Sequence, residues 1–200
     1  MLLRFIFCAI ITLAVTSCIG LKPKPDNTKT FALGISNLSQ LQSSSVDSAI
    51  KGYIAQPEFP VYMEGNKIKI LSKGGEILNL PGVRWAESID MGSARALSHY
   101  IETLSDSFIK SSFYPWIQPD ETAFIIRVKF HHLIATDDGH ILVSANWECS
   151  YNNDETQTGS FVKNTIKWSP NNPQSMIAGI NTALELIASE IVETLKKKAL

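Results

Sequence analysis

This sequence has few cysteines, three among its 200 residues. Cys8 and Cys18 lie near the amino terminus, so Cys149 has no intramolecular partner in the rest of the chain. This excludes a framework of disulfides as the source of stability. An apolar content of 44% is sufficient for a hydrophobic core, and the length predicts one domain around it.

An excess of charge is also missing, because 18 Lys and Arg residues face 19 Asp and Glu residues and leave a formal net charge of −1. Nucleic acid is therefore not expected as a partner, since its binding needs a basic field. Beyond the amino terminus, no uninterrupted apolar run approaches the length of a membrane span.

Recognisable catalytic motifs are missing as well. Ser98-His99 and the other serines lack a nucleophile elbow, and no glycine-rich phosphate loop or cysteine pair follows a strand. The sequence therefore predicts neither an enzyme nor a cofactor site.

Histidines and aspartates cluster at His131, His132, Asp137, Asp138 and His140. Imidazoles and carboxylates are common metal ligands, and this region is the one feature that favours a periplasmic hydrolase. Neighbouring strand residues point to opposite faces, however, and Asp-Asp-Gly is typical of a turn. We therefore predict solvated hairpin residues and no metal.

The amino terminus has the layout of a signal peptide, with Arg4 followed by an apolar run from Phe5 to Val15. As a helix that run measures roughly 16 Å, about half of the hydrocarbon core of a bilayer. It ends in Val15-Thr16-Ser17-Cys18, which resembles the lipobox of bacterial lipoproteins. The pattern predicts cleavage between Ser17 and Cys18 and attachment of fatty acyl chains to Cys18. An ordinary secretory signal is the alternative.

Three parts of the chain follow from this interpretation. Residues 1–17 are the signal peptide, residues 18–28 are the lipidated cysteine and a flexible tether, and residues 29–200 are one domain. Pro23 and Pro25 favour an extended conformation of the tether.

Periodicity predicts the main elements of the domain. Two amphipathic helices are expected, one from Ile89 to Phe108 with Ser88 as N-cap and one that begins at Asn172-Pro173. Strands are expected at residues 30–35, 49–55, 59–63, 67–71 and 113–117.

A long antiparallel hairpin gives the strongest strand signal. Apolar and polar residues alternate from Phe124 to His131 and again from Ile141 to Glu148, on either side of the turn Asp137-Asp138-Gly139. A third strand is expected to place Val162, Ile166 and Trp168 towards the core. The predicted fold class is α+β, a mainly antiparallel sheet with two long helices packed on one face.

Aromatic residues near prolines are the candidates for a partner-binding surface. These are Tyr53, Phe59, Tyr62 and Tyr114. Rigid amphipathic aromatics are common in interfaces, although each of them can instead fill a gap in the core.

The segment Trp85-Ala86-Glu87-Ser88-Ile89-Asp90, which leads directly into a predicted helix, resembles the PqiC-like family of ABC-type transport auxiliary lipoproteins. Phe31-Ala32-Leu33 and Phe113-Tyr114-Pro115-Trp116 fall in the family's order, so the resemblance covers nearly the whole mature chain. Ser88 and Ile89 replace the proline and leucine that are common in the family.

The resemblance implies a non-catalytic accessory role in intermembrane lipid transport, with ABC transporter and MCE-domain proteins as partners. It also implies structural roles for Trp85, Ala86 and Glu87, with Glu87 accepting from amide donors at the start of the helix. Ile19, rather than aspartate, follows Cys18, and this predicts an outer-membrane lipoprotein facing the periplasm. An envelope-assembly or stress adaptor remains the alternative function, and the sequence leaves a homo-oligomer open.

Overall fold

The computed structural model describes residues 25–34, 50–106, 108–115, 123–151 and 155–199. The predicted signal peptide, Ser17, Cys18, most of the tether and Trp116 lie outside the described residues.

The described chain contains eight strands and two long helices. In chain order they are β1 (Lys29–Phe31), β2 (Ile50–Ile54), β3 (Lys67–Leu71), β4 (Ile77–Trp85), α1 (Ile89–Leu104), β5 (Ile109–Phe113), β6 (Phe124–Thr136), β7 (His140–Tyr151), β8 (Glu155–Lys167) and α2 (Pro173–Ala199).

The sheet branches at β6. One edge of β6 pairs with β7, which in turn pairs with β8, and both of these pairings are antiparallel. The other edge pairs in parallel with β2 near Phe124 and with β3 near Thr136. Outward from these two strands, β5 runs parallel to β2, β4 runs antiparallel to β3, and β1 runs parallel to β4.

The expectation of a mainly antiparallel sheet is therefore wrong, because the sheet is mixed. The parallel pairings join segments far apart in sequence, such as β1 with β4, and a local alternation of apolar residues carries no information about such pairing. The α+β content itself is confirmed.

The central hairpin matches its prediction. Ile126, Val128 and Phe130 of β6 are buried, whereas Arg127 and Lys129 between them are exposed. On β7 the buried residues include Ile141, Val143, Ala145 and Trp147, and Trp168 after β8 is also buried.

Val162 does not face the core as expected, since 73% of its surface is exposed. Ile141 lies opposite Ile166, but Val143 lies opposite Lys163, so β8 contains one extra residue between these pairs. Such a bulge moves the preceding side chains to the other face, and Phe161 packs against the core in place of Val162.

Helix α1 begins at the predicted residue but ends at Leu104, before the predicted Phe108. The Ser105 hydroxyl donates to the Glu102 carbonyl at 3.0 Å and accepts the Ile109 amide at 3.1 Å. Asp106 then adopts a φ of 54°, which ends the helical path. The next strand accordingly begins at Ile109, earlier than the predicted residue 113. The segment 59–63, predicted as a strand, contains a 3-10 turn at Val61–Met63.

Helix α2 begins at Pro173 as predicted, and the Asn172 side chain accepts the Ser175 amide at 3.3 Å. Its predicted apolar stripe is buried: Met176, Ile180, Leu184, Ile187, Ile191 and Leu195.

By length and composition Pro173–Lys197 also suits a membrane span, but core helices pass the same test and most of this helix is buried. Each helix contacts strands of the sheet, and the two contact each other. Their placement on one common face stays a prediction.

Candidate functional site

The connection between β4 and α1 contains the Trp-Ala-Glu motif. Trp85 is buried, and its amide donates to the Asn66 carbonyl at 2.8 Å. The Ala86 amide donates to the carbonyl of Phe31 at 2.7 Å, directly after Phe31 pairs with Trp85 across β1 and β4. The motif therefore fastens the short strand β1 to the point at which the chain leaves the sheet.

Glu87 of this motif pairs with the guanidinium of Arg95 on α1. We expected it to accept from backbone amides at the start of the helix, but its carboxylate lies alongside the helix instead. An ideal Cβ on Gly92 would lie 3.5 Å from the Glu87 carboxylate and 3.6 Å from Leu33, which is ordinary van der Waals distance, so both residues pack directly against this turn of the helix.

Asp90 performs the capping role that was expected of Glu87. Desolvation raises the pKa of this carboxyl, but hydrogen bonds from the Ser88 and Gln56 side chains and from the amides of Met91 and Asp90 outweigh it, so the pKa lies below its ordinary value. Gln56 Nε2 donates to Asp90 at 2.6 Å. Ser88 occupies the N-cap position without a side-chain capping bond to the helix.

The segment after β1 fills the junction between the two helices. Gly34 has a φ of +67°, and an ideal Cβ on it would lie 2.9 Å from the Cα of Ala96. Its amide donates to the side-chain oxygen of the buried Asn181 on α2 at 3.0 Å. Leu33 beside it is 1% exposed. The motif and this segment together connect β1, β4 and both helices. Their contacts are those of residues that stabilise the fold.

The aromatic candidates occupy two places. Tyr53 on β2 is 9% exposed, and Tyr114 after β5 is half-buried. Burial, and to a smaller extent the neighbouring Tyr114, raises the pKa of Tyr53. The two tyrosines therefore lie close together, with Tyr114 the more accessible.

Phe59 and Tyr62 lie between β2 and β3. Phe59 stacks on Phe130 with ring centroids 4.6 Å apart. The Tyr62 hydroxyl lies 3.0 Å from Nδ1 of His132, and burial raises the pKa of Tyr62. Both residues are half-buried, so each presents part of its ring to solvent and part to the core. A role of the four aromatics in partner binding stays a prediction.

An open groove of about 800 Å³ crosses the polar face of β6, β7 and β8. Its wall contains two exposed ion pairs, Arg127 with Glu148 at 2.9 Å and Lys129 with Glu58 at 3.2 Å. Because each cation already faces a carboxylate, the groove has no net charge that selects a ligand of one sign.

Each aspartate of the central hairpin has hydrogen-bond partners of its own. Asp137 accepts the Lys73 amide at 3.1 Å. Asp138 binds the Thr136 hydroxyl and His140 Nδ1, and these contacts lower its pKa. Among the described residues, no group of three or more His, Cys, Asp or Glu side chains is arranged to hold a metal ion.

Cys149 lies inside the core, where burial and the neighbouring Glu148 raise the pKa of its thiol to about 12. At that value the reactive thiolate is negligible at neutral pH, so this cysteine is chemically inert.

A family model described as the ABC-type transport auxiliary lipoprotein component matches residues 37–192. The chain belongs to this family. The PqiC-like resemblance is thereby confirmed, and the match spans the motif at Trp85, the central hairpin and most of α2. No curated protein matches the chain.

Two solved structures show the same fold. One, described as an uncharacterized protein, has a TM-score of 0.66 and 13% identity, covering 84% of this chain and 99% of its own. The other, a protein from Xanthomonas campestris of the DUF330 family, has a TM-score of 0.54 and 13% identity, covering 72% of this chain and 82% of its own.

Proposed function

We propose that this chain is a non-catalytic accessory lipoprotein of an ABC and MCE-type system for lipid transport between the two membranes of a bacterial envelope. Membership of the family of ABC-type transport auxiliary lipoproteins is the observation that supports it. The motif residues that sequence reasoning singled out fit a non-catalytic role, because the Trp85 and Ala86 amides join separate elements and Glu87 pairs with Arg95.

The anchor is acyl chains on Cys18, and the domain faces the periplasm from the outer membrane. The lipobox at Val15 to Cys18 and the Ile19 that follows it support this placement. Several acyl chains, at about 0.8 kcal/mol per buried methylene, give stable attachment, whereas one chain is marginal.

The partner surface includes Tyr62 and Tyr114. Both are half-buried, a state in which a tyrosine has a fixed ring and an accessible edge. Tyr53, at 9% exposure, contributes little surface of its own.

Photo-crosslinking in living cells tests the function and the surface together. A photoreactive amino acid replaces Tyr62 or Tyr114, and Val162, which is 73% exposed on β8, is the control position. We expect crosslinks from Tyr62 and Tyr114 to an ABC permease or an MCE-domain protein, and none from Val162. Crosslinks only to envelope-assembly or stress proteins would favour the adaptor alternative, and equal crosslinking from Val162 would contradict the choice of surface.

A further inference from the structure

The direction of β1 shows where the amino-terminal tether leaves the domain. Lys29 lies opposite Val83 and Phe31 opposite Trp85 in a parallel pairing, so β1 and β4 start at the same end of the sheet. The chain that precedes Lys29 therefore leaves towards the start of β4 at Ile77. Cys18 precedes Lys29 in the sequence, so the proposed anchor is joined to the domain at this end.

The turn between β3 and β4 lies at this same end. Leu71 pairs with Ile77, and Ser72 closes the turn by accepting the Gly75 amide at 2.9 Å and the Glu76 amide at 3.1 Å. Arg84 of β4 pairs with Thr30 of β1 on one side and with Lys67 of β3 on the other. From Lys67 to Leu71, β3 advances about 13 Å at 3.3 Å per residue. The turn thus projects beyond the level at which β1 is held.

The turn between β6 and β7 closes the same end. β6 runs parallel to β3, with Thr136 opposite Leu71, and the Asp137 amide donates to the Leu71 carbonyl at 3.0 Å. We call this end of the domain, formed by the start of β1, the turn 72–76 and the turn 137–139, the tether end.

Two adjacent large apolar side chains are exposed at the tether end. Ile77 is 39% exposed and Leu78 is 43% exposed, within a run of exposed residues from 73 to 79. Within the described part of the chain, β1 pairs with residues 83–85 of β4 and not with residues 77 and 78. Exposed neighbouring apolar residues at a projecting turn are suited to contact with an apolar phase.

Charge at the tether end selects the kind of surface. Lys29 and Lys73 are basic and exposed, and Glu76, Asp137 and Asp138 are acidic and exposed. Two cations beside three carboxylates make no basic patch that would hold an anionic lipid surface, so contact has to come from the apolar side chains, which suits a zwitterionic surface.

We propose that the tip of the β3–β4 hairpin, through Ile77 and Leu78, inserts shallowly into a zwitterionic phospholipid bilayer when the domain is tethered. The inference rests on the proposed anchor at Cys18. Ten residues lie between Cys18 and Lys29, and these eleven steps span about 34 Å in an extended, polyproline-like conformation. The hairpin, which projects about 13 Å, covers a substantial part of that gap. The hairpin therefore fixes the orientation of the domain on the membrane.

Environment-sensitive labels in the full-length lipidated protein test this orientation. Leu78→Cys and, in a second variant, Lys73→Cys receive a fluorescent thiol label, and the protein is reconstituted into phosphatidylcholine vesicles that contain nitroxide-quencher lipids. Cys149 does not compete for the label because it is buried. Thr158→Cys is the matched control, since it is exposed and pairs with Glu148 at about 30 Å from the turn, nine residues along β6.

We expect severalfold stronger quenching at positions 78 and 73 than at position 158, with little dependence on salt. Equal quenching at all three positions while the protein floats with the vesicles would overturn the hairpin contact and leave the anchor intact. Failure of the protein to float would instead refute the anchor and, with it, the inference.

Discussion

Gly159 is a position at which the neighbour across the sheet leaves no room for a side chain. It lies opposite Trp147 on β7, and the Trp147 indole nitrogen donates to Glu190 of α2 at 3.1 Å. An ideal Cβ on Gly159 would lie 2.3 Å from the indole ring. The tryptophan therefore covers the glycine and connects the sheet to the helix.

Gly159→Ala is expected to destabilise the domain by about 1–3 kcal/mol, because the added methyl group forces the indole away from Glu190. The control is Gly74→Ala, since Gly74 has only the Ser72 hydroxyl within 4 Å of an added Cβ, at 3.7 Å. Thermal unfolding measures both. An unchanged melting temperature for Gly159→Ala would show that the ring moves at no cost.

Asp90 gives the domain a predictable response to acid. Its pKa in the folded state lies below the unfolded value of about 3.9, so the charged form stabilises the fold above that value. This stabilisation is lost as the pH falls through the folded pKa. Asp90→Asn should lower the free energy of unfolding by about 1 kcal/mol at pH 7, and the difference from the parent should shrink below about pH 4.

Asp106→Asn is the control for this measurement, because Asp106 is exposed and asparagine tolerates its positive φ equally well. At pH 7 its free energy of unfolding should stay close to that of the parent. A difference between Asp90→Asn and the parent that stays constant from pH 7 to pH 3 would contradict the assigned linkage.

At the scale of the elements, sequence periodicity predicted the strands and helices whose burial pattern depends on residues close together in the sequence. The alternation in β6 and β7 and the apolar stripe of α2 follow from burial of one face, so the pattern is local. The bulge that turns Val162 outward depends on the pairing of β8 with β7. The Ser105 contacts that end α1 are local hydrogen bonds with Glu102 and Ile109, but a pattern of apolar residues does not report them. The parallel pairings of β2 and β3 with β6 likewise join distant segments, so the branched sheet was not predictable from a local pattern.

Gly34 tests the attachment of β1 to the helices. A side chain there meets both a positive φ and the backbone of Ala96, so Gly34→Ala should cost about 2–4 kcal/mol. Gly65→Ala is the matched control, since Gly65 also has a positive φ but nothing within 4 Å of an added Cβ. Its cost should be about 1 kcal/mol, from the φ alone. Equal melting temperatures for the two variants would show that the contact with Ala96 does not stabilise the domain.

At the scale of the whole molecule, the candidate site divides into predictable and unpredictable parts. Trp85 and Glu87 were identified through the family motif, and Asp90 lies in the same segment of the sequence. The pairing of Glu87 with Arg95 was not identified. The pairing of Gly34 with Asn181 was not identified either, because these residues are 147 positions apart and no local spacing connects them.

The predicted anchor places the whole domain at a membrane surface. Cys18→Ala should shift the protein from the membrane fraction to the soluble periplasmic fraction, since the acyl chains are the proposed attachment. Fractionation with Cys149→Ala as the control separates loss of lipid from general loss of a thiol. Retention of Cys18→Ala in the membrane at the level of the parent would show that Cys18 does not anchor the chain.

Association with a transporter is the central claim, and affinity purification from solubilised membranes tests it most directly. The full chain with a tag after Leu200 is purified, and mass spectrometry quantifies the proteins that accompany it, against an untagged strain. We predict strong enrichment of an ABC permease, its ATPase and an MCE-domain protein. Enrichment of envelope-assembly or stress proteins with none of these three would contradict the account.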